Sequence, residues 1–271
     1  MKFKSITLAA IALFICTEAS AHNRWILPSH FTLSNDKGEW VMVDVTASNE
    51  VFNVDKPMGA ERLTITAPDG TDVFPSSSYR GHRKSVVDIH LEDSGTYQLK
   101  MGGEASYWTS FLPKGEQKKQ WLRGVNKTQR AALLPKGATE VETMASYASI
   151  LSYISLNSPT QNFPLTNSGL ELVPVTHPSD IAQGEAAEFT FVFNGKAQAG
   201  VKVEIIREGV RYRNNPDSLK LTSDSKGLIT FNLKEAGRYL LMAEYETKTA
   251  NHADADSVSG QIFLTFESVL N

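Results

Sequence analysis

Apolar and polar residues alternate along most of the chain from position 39 onward, and this period predicts β-strands. In 41–46, three valines at every second position alternate with Met, Asp and Thr, which is typical of a strand with one buried face. Strand-like runs follow at 63–67, 86–91, 96–101 and 107–112, several of them bounded by Gly-containing turns. We therefore expect an N-terminal antiparallel β-sandwich over residues 22–112.

The same pattern returns after Gly169 and predicts a second sandwich over residues 169–271. Short strand-like runs occupy 170–175, 187–193, 201–207, 228–233, 239–245 and 261–267. Their spacing, with turns such as Asn194-Gly195, is typical of an immunoglobulin-like or transthyretin-like sandwich. The predicted fold class is all-β, with two antiparallel β-sandwich domains.

Residues 113–168 differ in composition and are expected to form a connecting segment of mixed structure. Residues 128–134 are predicted to form about two helical turns, capped by Asn126 or Thr128 and ended by Pro135. The apolar positions of 147–154 have helical spacing, but the stretch is rich in β-branched residues and tyrosine. We interpret it as a strand.

The first 21 residues have the pattern of a cleaved secretion signal. Lys2 and Lys4 precede an apolar run at 6–15, and Ala19 and Ala21 satisfy the small-residue rule for cleavage. The run is shorter than the roughly 20 residues that span a bilayer, so no membrane insertion is expected after cleavage. We expect a periplasmic protein.

Cysteine and charge exclude several classes of protein. Cys16 is the only cysteine and lies in the predicted signal, so the mature chain has no disulfide, thiolate nucleophile or sulfur-rich zinc site. Removing Lys2, Lys4 and Glu18 leaves 25 basic and 29 acidic side chains, a formal net charge of −4. This charge does not favour binding to nucleic acid or to an anionic membrane.

Cleavage after Ala21 makes His22 the first residue of the mature chain. Its α-amine and imidazole have pKa values of about 7.7–8.0 and 6.5, so both nitrogens become neutral donors near physiological pH. Two nitrogens of one residue can close a chelate ring on Cu²⁺ or Ni²⁺. The alternative is that histidine stands first by coincidence.

Further ligands are needed for a specific metal site, and the sequence offers a few candidates. His30 follows eight residues later and would approach His22 if the chain reversed at Pro28. His252, Asp254 and Asp256 point the same way in an extended chain and present one imidazole and two carboxylates. A solvated acidic loop explains this last cluster equally well.

Enzyme signatures are absent: there is no G-x-S-x-G, no H-E-x-x-H, no phosphate-binding loop and no dinucleotide fingerprint. We therefore expect a protein that is not an enzyme. A copper-dependent oxidase remains a third alternative, because it would require only a second histidine placed against His22.

Several segments resemble a known family. They are GLELVPVTHPSD (169–180), GKAQAGV (195–201), LTSDSKG (221–227), HNRWILPS (22–29) and QWLRG (120–124). Together they resemble the bacterial periplasmic DUF4198 family over nearly the whole mature chain. The resemblance implies a periplasmic component linked to nickel or cobalt uptake, with His22 as a recurrent feature. Many relatives have an Asp-His pair where this chain has Asp55-Lys56.

From these observations we expect a periplasmic metal-binding or metal-uptake accessory protein, in which His22 anchors a Ni, Co or Cu ion. Its expected partners are the metal ion and an inner-membrane transporter or outer-membrane receptor. The alternative is a non-catalytic interaction module that presents its loops to such a membrane protein without binding a metal.

Overall fold

The computed structural model describes residues 23–161, 163–249 and 252–271, and within them the protein is all-β, which confirms the expected fold class. The strands are β1 (Asn23–Pro28), β2 (Thr32–Leu33), β3 (Glu39–Ser48), β4 (Lys56–Pro57), β5 (Thr64–Thr66), β6 (Asp72–Val73), β7 (Ser77–Arg80), β8 (Ser85–Leu91), β9 (Gly95–Leu112), β10 (Gln120–Arg123), β11 (Thr139–Leu156), β12 (Leu170–Pro174), β13 (Ala186–Phe193), β14 (Lys196–Ala197), β15 (Lys202–Arg207), β16 (Leu219–Thr222), β17 (Leu228–Asn232), β18 (Gly237–Lys248) and β19 (Ser257–Ser268). One short helix, α1 (Arg130–Leu133), and three 3-10 turns (Ala60–Arg62, Pro178–Asp180 and Val210–Tyr212) complete the elements.

The strands form three sheets. The central sheet has ten strands and the order β16-β15-β18-β19-β11-β9-β5-β6, with β10 beside β9 and β2 beside β11. The N-terminal sheet has five strands (β1, β3, β4, β7 and β8), and the C-terminal sheet has four (β12, β13, β14 and β17). Most pairings are antiparallel, but β11 runs parallel to β19.

The central sheet is shared by two hydrophobic cores, one on each of its faces. Ile150 and Phe263 belong to the core under the N-terminal sheet, whereas Leu151 and Leu264 belong to the core under the C-terminal sheet. Adjacent side chains of a strand point to opposite faces, so each strand supplies both cores. The protein is therefore a stack of three β layers, in which the two sandwiches share their middle sheet.

The segment 113–168 contributes a central element of this stack. Strand β11 lies between β9 and β19 and is 18 residues long. Its second half is buried on both faces, which gives a continuous apolar and small-residue run instead of alternation. This explains why periodicity in 147–154 did not distinguish helix from strand, and the interpretation as a strand is confirmed.

The helix expected at 128–134 is shorter than predicted. Only Arg130–Leu133 are helical, a single turn. The Asn126 side-chain oxygen accepts hydrogen bonds from the Gln129 amide at 2.9 Å and the Thr128 hydroxyl at 2.8 Å, as a capping residue does. No helix among the described residues is long and apolar enough to cross a bilayer.

A bulge interrupts the long pairing of β9 with β11. The register shifts between Tyr147 and Ser149, opposite Gly102, whose φ is +77°. A Cβ at Gly102 would lie 2.2 Å from the backbone oxygen of Ala148. Glycine is therefore required here both for its backbone conformation and for the close approach of the neighbouring strand.

We expect Gly102→Ala to lower the free energy of unfolding by about 3 kcal/mol, because strain at positive φ adds to a backbone clash. Gly70→Ala is the matched control, since Gly70 also has positive φ (+88°) but has open space around its missing Cβ. It should cost about 1 kcal/mol. Urea denaturation measures both, and equal costs would contradict the proposed clash.

Candidate functional site

The first described residue of β1 is fixed in the N-terminal sheet. Asn23 pairs with Ser48 of β3, and its side-chain amide donates to the Asn49 carbonyl at 3.4 Å. Trp25 and Ile26 follow after Arg24 and are fully buried. The candidate ligand His22 lies outside the described residues, but one peptide bond joins it to this anchored strand.

His30 lies beyond the other end of β1. Pairing with β3 continues through Pro28, and the Ser29 amide donates to the Met42 carbonyl at 2.8 Å, so the chain does not reverse at Pro28. A six-residue strand is about 17 Å long, which separates His30 from Asn23. His30 is exposed, and its Nδ1 lies 3.1 Å from the Ser29 hydroxyl.

His252 and Asp254 lie in the loop that precedes β19. The Asp254 amide donates to His252 Nδ1 at 3.2 Å, which places the proton of the neutral ring on Nε2. Asp254 Oδ1 accepts from the Asn126 side chain at 3.1 Å, and the Asp254 carbonyl accepts from the Lys127 amide at 2.8 Å. These bonds join the loop to the segment before α1.

Asp256 is held by cations of the protein itself. Its carboxylate is 2.9 Å from Lys127 Nζ, forms an ion pair with Arg130, and accepts from the Thr143 amide at 2.9 Å. Burial raises the pKa of Asp256, but the Thr143 amide, Lys127 and Arg130 outweigh it and lower the pKa to about 2. Both carboxylate oxygens are therefore engaged in fastening the loop.

The described residues do not assemble the candidate ligands into one centre. No group of three or more His, Cys, Asp or Glu side chains suited to a metal ion occurs among residues 23–161, 163–249 and 252–271. Asp256 directly precedes β19 and is about 20 Å along the chain from Phe263 of the same strand. The Phe263 ring is the part of β19 near the start of β1, since it lies 5.9 Å from the Arg24 guanidinium. His30 and the 252–256 cluster thus lie apart from the start of β1.

His177 is the most buried histidine among the described residues and is part of a hydrogen-bond network between layers. Its Nδ1 accepts from the Ser179 amide at 3.0 Å, so its Nε2 donates to Thr96 Oγ1 at 3.0 Å. Thr96 Oγ1 lies 2.9 Å from Ser155 Oγ. Burial lowers the pKa of His177, opposed in part by Asp180 and by a hydrogen bond to the Thr160 backbone. We interpret it as a structural residue.

A model of the family described as "Domain of unknown function (DUF4198)" matches residues 19–247 of the chain. No curated protein matches.

Three solved structures that match the chain are distant likenesses. The adhesin InvE of Yersinia pseudotuberculosis is 12% identical with a TM-score of 0.24, over 90% of this chain and 58% of the adhesin. The FN1–FN3 domains of chicken CNTN1 are 10% identical with a TM-score of 0.24, over 91% and 98% of the two chains. A DUF4785 family protein from Legionella pneumophila is 8% identical with a TM-score of 0.25, over 80% and 50%. Such low scores carry no argument about function.

We expect Asp256→Asn to lower the free energy of unfolding by about 2 kcal/mol at pH 7, because the folded pKa lies well below the ordinary value. A depressed carboxyl pKa stabilises the fold above about pH 4, and this contribution is lost as the pH falls towards 2. The difference between wild type and variant should therefore shrink at pH 3. Asp254→Asn, which removes a charge but keeps an oxygen that can accept from Asn126 and breaks no ion pair, is the control and should cost less than about 1 kcal/mol.

A second expectation concerns pH near neutrality. Since the pKa of His177 is lowered in the fold, the unfolded chain takes up a proton first as the pH falls through about 6.5. Wild type should therefore lose stability between pH 7 and pH 5, and His177→Gln should show a flatter pH dependence. Chemical denaturation at both pH values gives the two slopes. Parallel slopes would show that His177 does not cause the loss.

Proposed function

The chain belongs to the DUF4198 family, and from the position of its first strand we propose that it is a periplasmic transition-metal-binding protein anchored by His22. In this proposal, the α-amine and imidazole of His22 chelate Cu²⁺, Ni²⁺ or Co²⁺ after signal cleavage. The expected link of the family to nickel or cobalt uptake supports a role as an accessory in metal delivery. A transporter or receptor in a membrane would be its partner.

The observation that carries this proposal is the absence of a spacer between His22 and the sheet. Asn23 already pairs with β3, and Trp25 and Ile26, two and three residues further along β1, are fully buried. An α-amine so close to a fixed strand loses less conformational freedom on binding than one at the end of a flexible tail. A chelate at this position is therefore favoured by preorganisation.

The start of β1 also provides oxygen donors that would complete the coordination. The Asn49 carbonyl lies beside Asn23, and Glu50 follows it in the turn after β3. Glu50 is half-buried, and its Oε2 accepts from the Asn53 side chain at 3.1 Å, which orients the carboxylate. Because His30 is at the far end of β1, we propose Glu50 in preference to His30 as the next ligand.

A second candidate is a non-catalytic interaction module, and an exposed sheet face favours it. On the N-terminal sheet, the ring of Trp40 stacks on His90 with centroids 4.7 Å apart. Met42 and Tyr79 are also exposed, at 50% and 70%. Exposed aromatic and methionine side chains on one face are typical of surfaces that bind other proteins.

The metal proposal is tested with two proteins: one that begins at His22 and one with a single extra alanine before it. The extension moves the amine away from the imidazole, so we expect the affinity for Cu²⁺ and Ni²⁺ to fall at least about tenfold. Isothermal titration calorimetry measures both. Affinity should also fall between pH 8 and pH 6, because the bound nitrogens must be deprotonated.

His30→Ala, in the chain that begins at His22, is the matched control and should bind as wild type does. Equal affinities of the His22 and alanine-extended proteins would eliminate the chelate. If neither protein binds a metal, the interaction module becomes the better explanation. Peroxide production by the copper-loaded protein would instead favour a copper oxidase.

A further inference from the structure

A groove of about 670 Å³ opens between the N-terminal sheet and the central sheet, beside the start of β1. Arg24 of β1 lines it from one layer, and Met101 of β9 and Ile150 of β11 line it from the other. Its size is within the range of pockets that bind small organic molecules. It is thus the open end of the N-terminal core.

Two arginines face this groove without a counter-ion. Arg24 is half-buried, and Arg62, at the end of the 3-10 turn Ala60–Arg62, lines the same groove. Within the described part of the chain, no ion pair joins either guanidinium to a carboxylate. Burial lowers the pKa of Arg24, and the charge of Arg62 lowers it further. Arg24, the half-buried one, thus has the Phe263 ring at 5.9 Å but no carboxylate within ion-pair distance among the described residues.

The acidic and apolar walls restrict what the groove can hold. Glu104 lies on the same groove and is exposed, more than 4.0 Å from both guanidinium groups. It leaves the groove with one excess positive charge. Met58, Met101 and Ile150 provide apolar surface next to the arginines, which suits a carbon skeleton better than a fully hydrated inorganic ion.

The bulge in the central sheet shapes the floor of the groove. Gly102 and Ala148, the residues on the two sides of the register shift, both line it. Bulges recur next to binding sites, where they interrupt pairing and redirect the neighbouring strand. At this point small residues leave room that ordinary side chains on two paired strands would fill.

We propose that this groove binds a small organic molecule that carries carboxylate groups. Arg24 and Arg62 pair with the carboxylate oxygens, since a guanidinium forms two parallel hydrogen bonds to such a group. The apolar wall contacts the carbon skeleton, and Glu104 accepts a hydrogen bond from a hydroxyl or ammonium group of the ligand. The proposal does not rest on the metal centre proposed above.

The test uses the mature protein in metal-free buffer, with tricarballylate and succinate as probes and inorganic phosphate for comparison. We expect saturable binding of at least one carboxylate, with phosphate at least about tenfold weaker because it makes no apolar contact. Arg62→Gln should weaken carboxylate binding at least about tenfold, and Arg62→Glu should abolish it. Calorimetry at low salt gives the affinities.

Arg80→Gln is the matched control, because Arg80 is an exposed arginine of β7 that does not line the groove. It should bind as wild type does. Arg24→Gln should also lose binding, and its thermal melting curve shows whether this variant is folded. If Arg24→Gln is unfolded, the Arg62 variants decide the test, because Arg62 is exposed and its substitution should not affect folding. No saturation by about 10 mM, equal binding of phosphate, or unchanged binding by Arg62→Glu would each overturn the proposal.

Discussion

Burial of the central sheet on both of its faces is the constraint on which the rest of the structure depends. Strands β11 and β19 send adjacent side chains, such as Ile150 and Leu151 or Phe263 and Leu264, into opposite cores. Neither core is complete without these strands. The N-terminal and C-terminal thirds of the chain are therefore joined through the central sheet, which the middle of the chain completes with β11. A substitution in β11 or β19 should consequently affect the packing of both cores.

The functional candidates lie at the margins of this buried centre. The start of β1, the 252–256 loop and the groove all border the stack where pairing or packing ends. Their polar groups have different uses. Asp256 pairs with Lys127 and Arg130 and fastens a loop, whereas Arg24 and Arg62 face the groove without a carboxylate partner within ion-pair distance among the described residues. Asp256 thus serves the fold, and the two guanidinium groups are the ones that the proposed carboxylate ligand would pair with.

This distinction is a matter of geometry that residue types do not reveal. In the sequence, His252, Asp254 and Asp256 have the chemistry of a metal site, and Arg24 is one residue of the motif at 22–29. In the fold, Asp254 and Asp256 are hydrogen-bonded to residues more than a hundred positions away, namely Asn126, Lys127 and Arg130. No local signal could have predicted those partners, because the loop and the segment before α1 are brought together by the pairing of β11 with β19.

The sequence by itself determined the all-β class, most strand positions, the family and the chemical argument for His22, because alternation, turn residues and short motifs are local properties. Only the tertiary structure decided that the middle segment supplies β11, that one sheet serves two cores, that His30 lies at the far end of β1, and that Arg24 and Arg62 share a groove. These features depend on which distant strands pair and in which register, and the free energy of that pairing comes from burial summed over the whole stack.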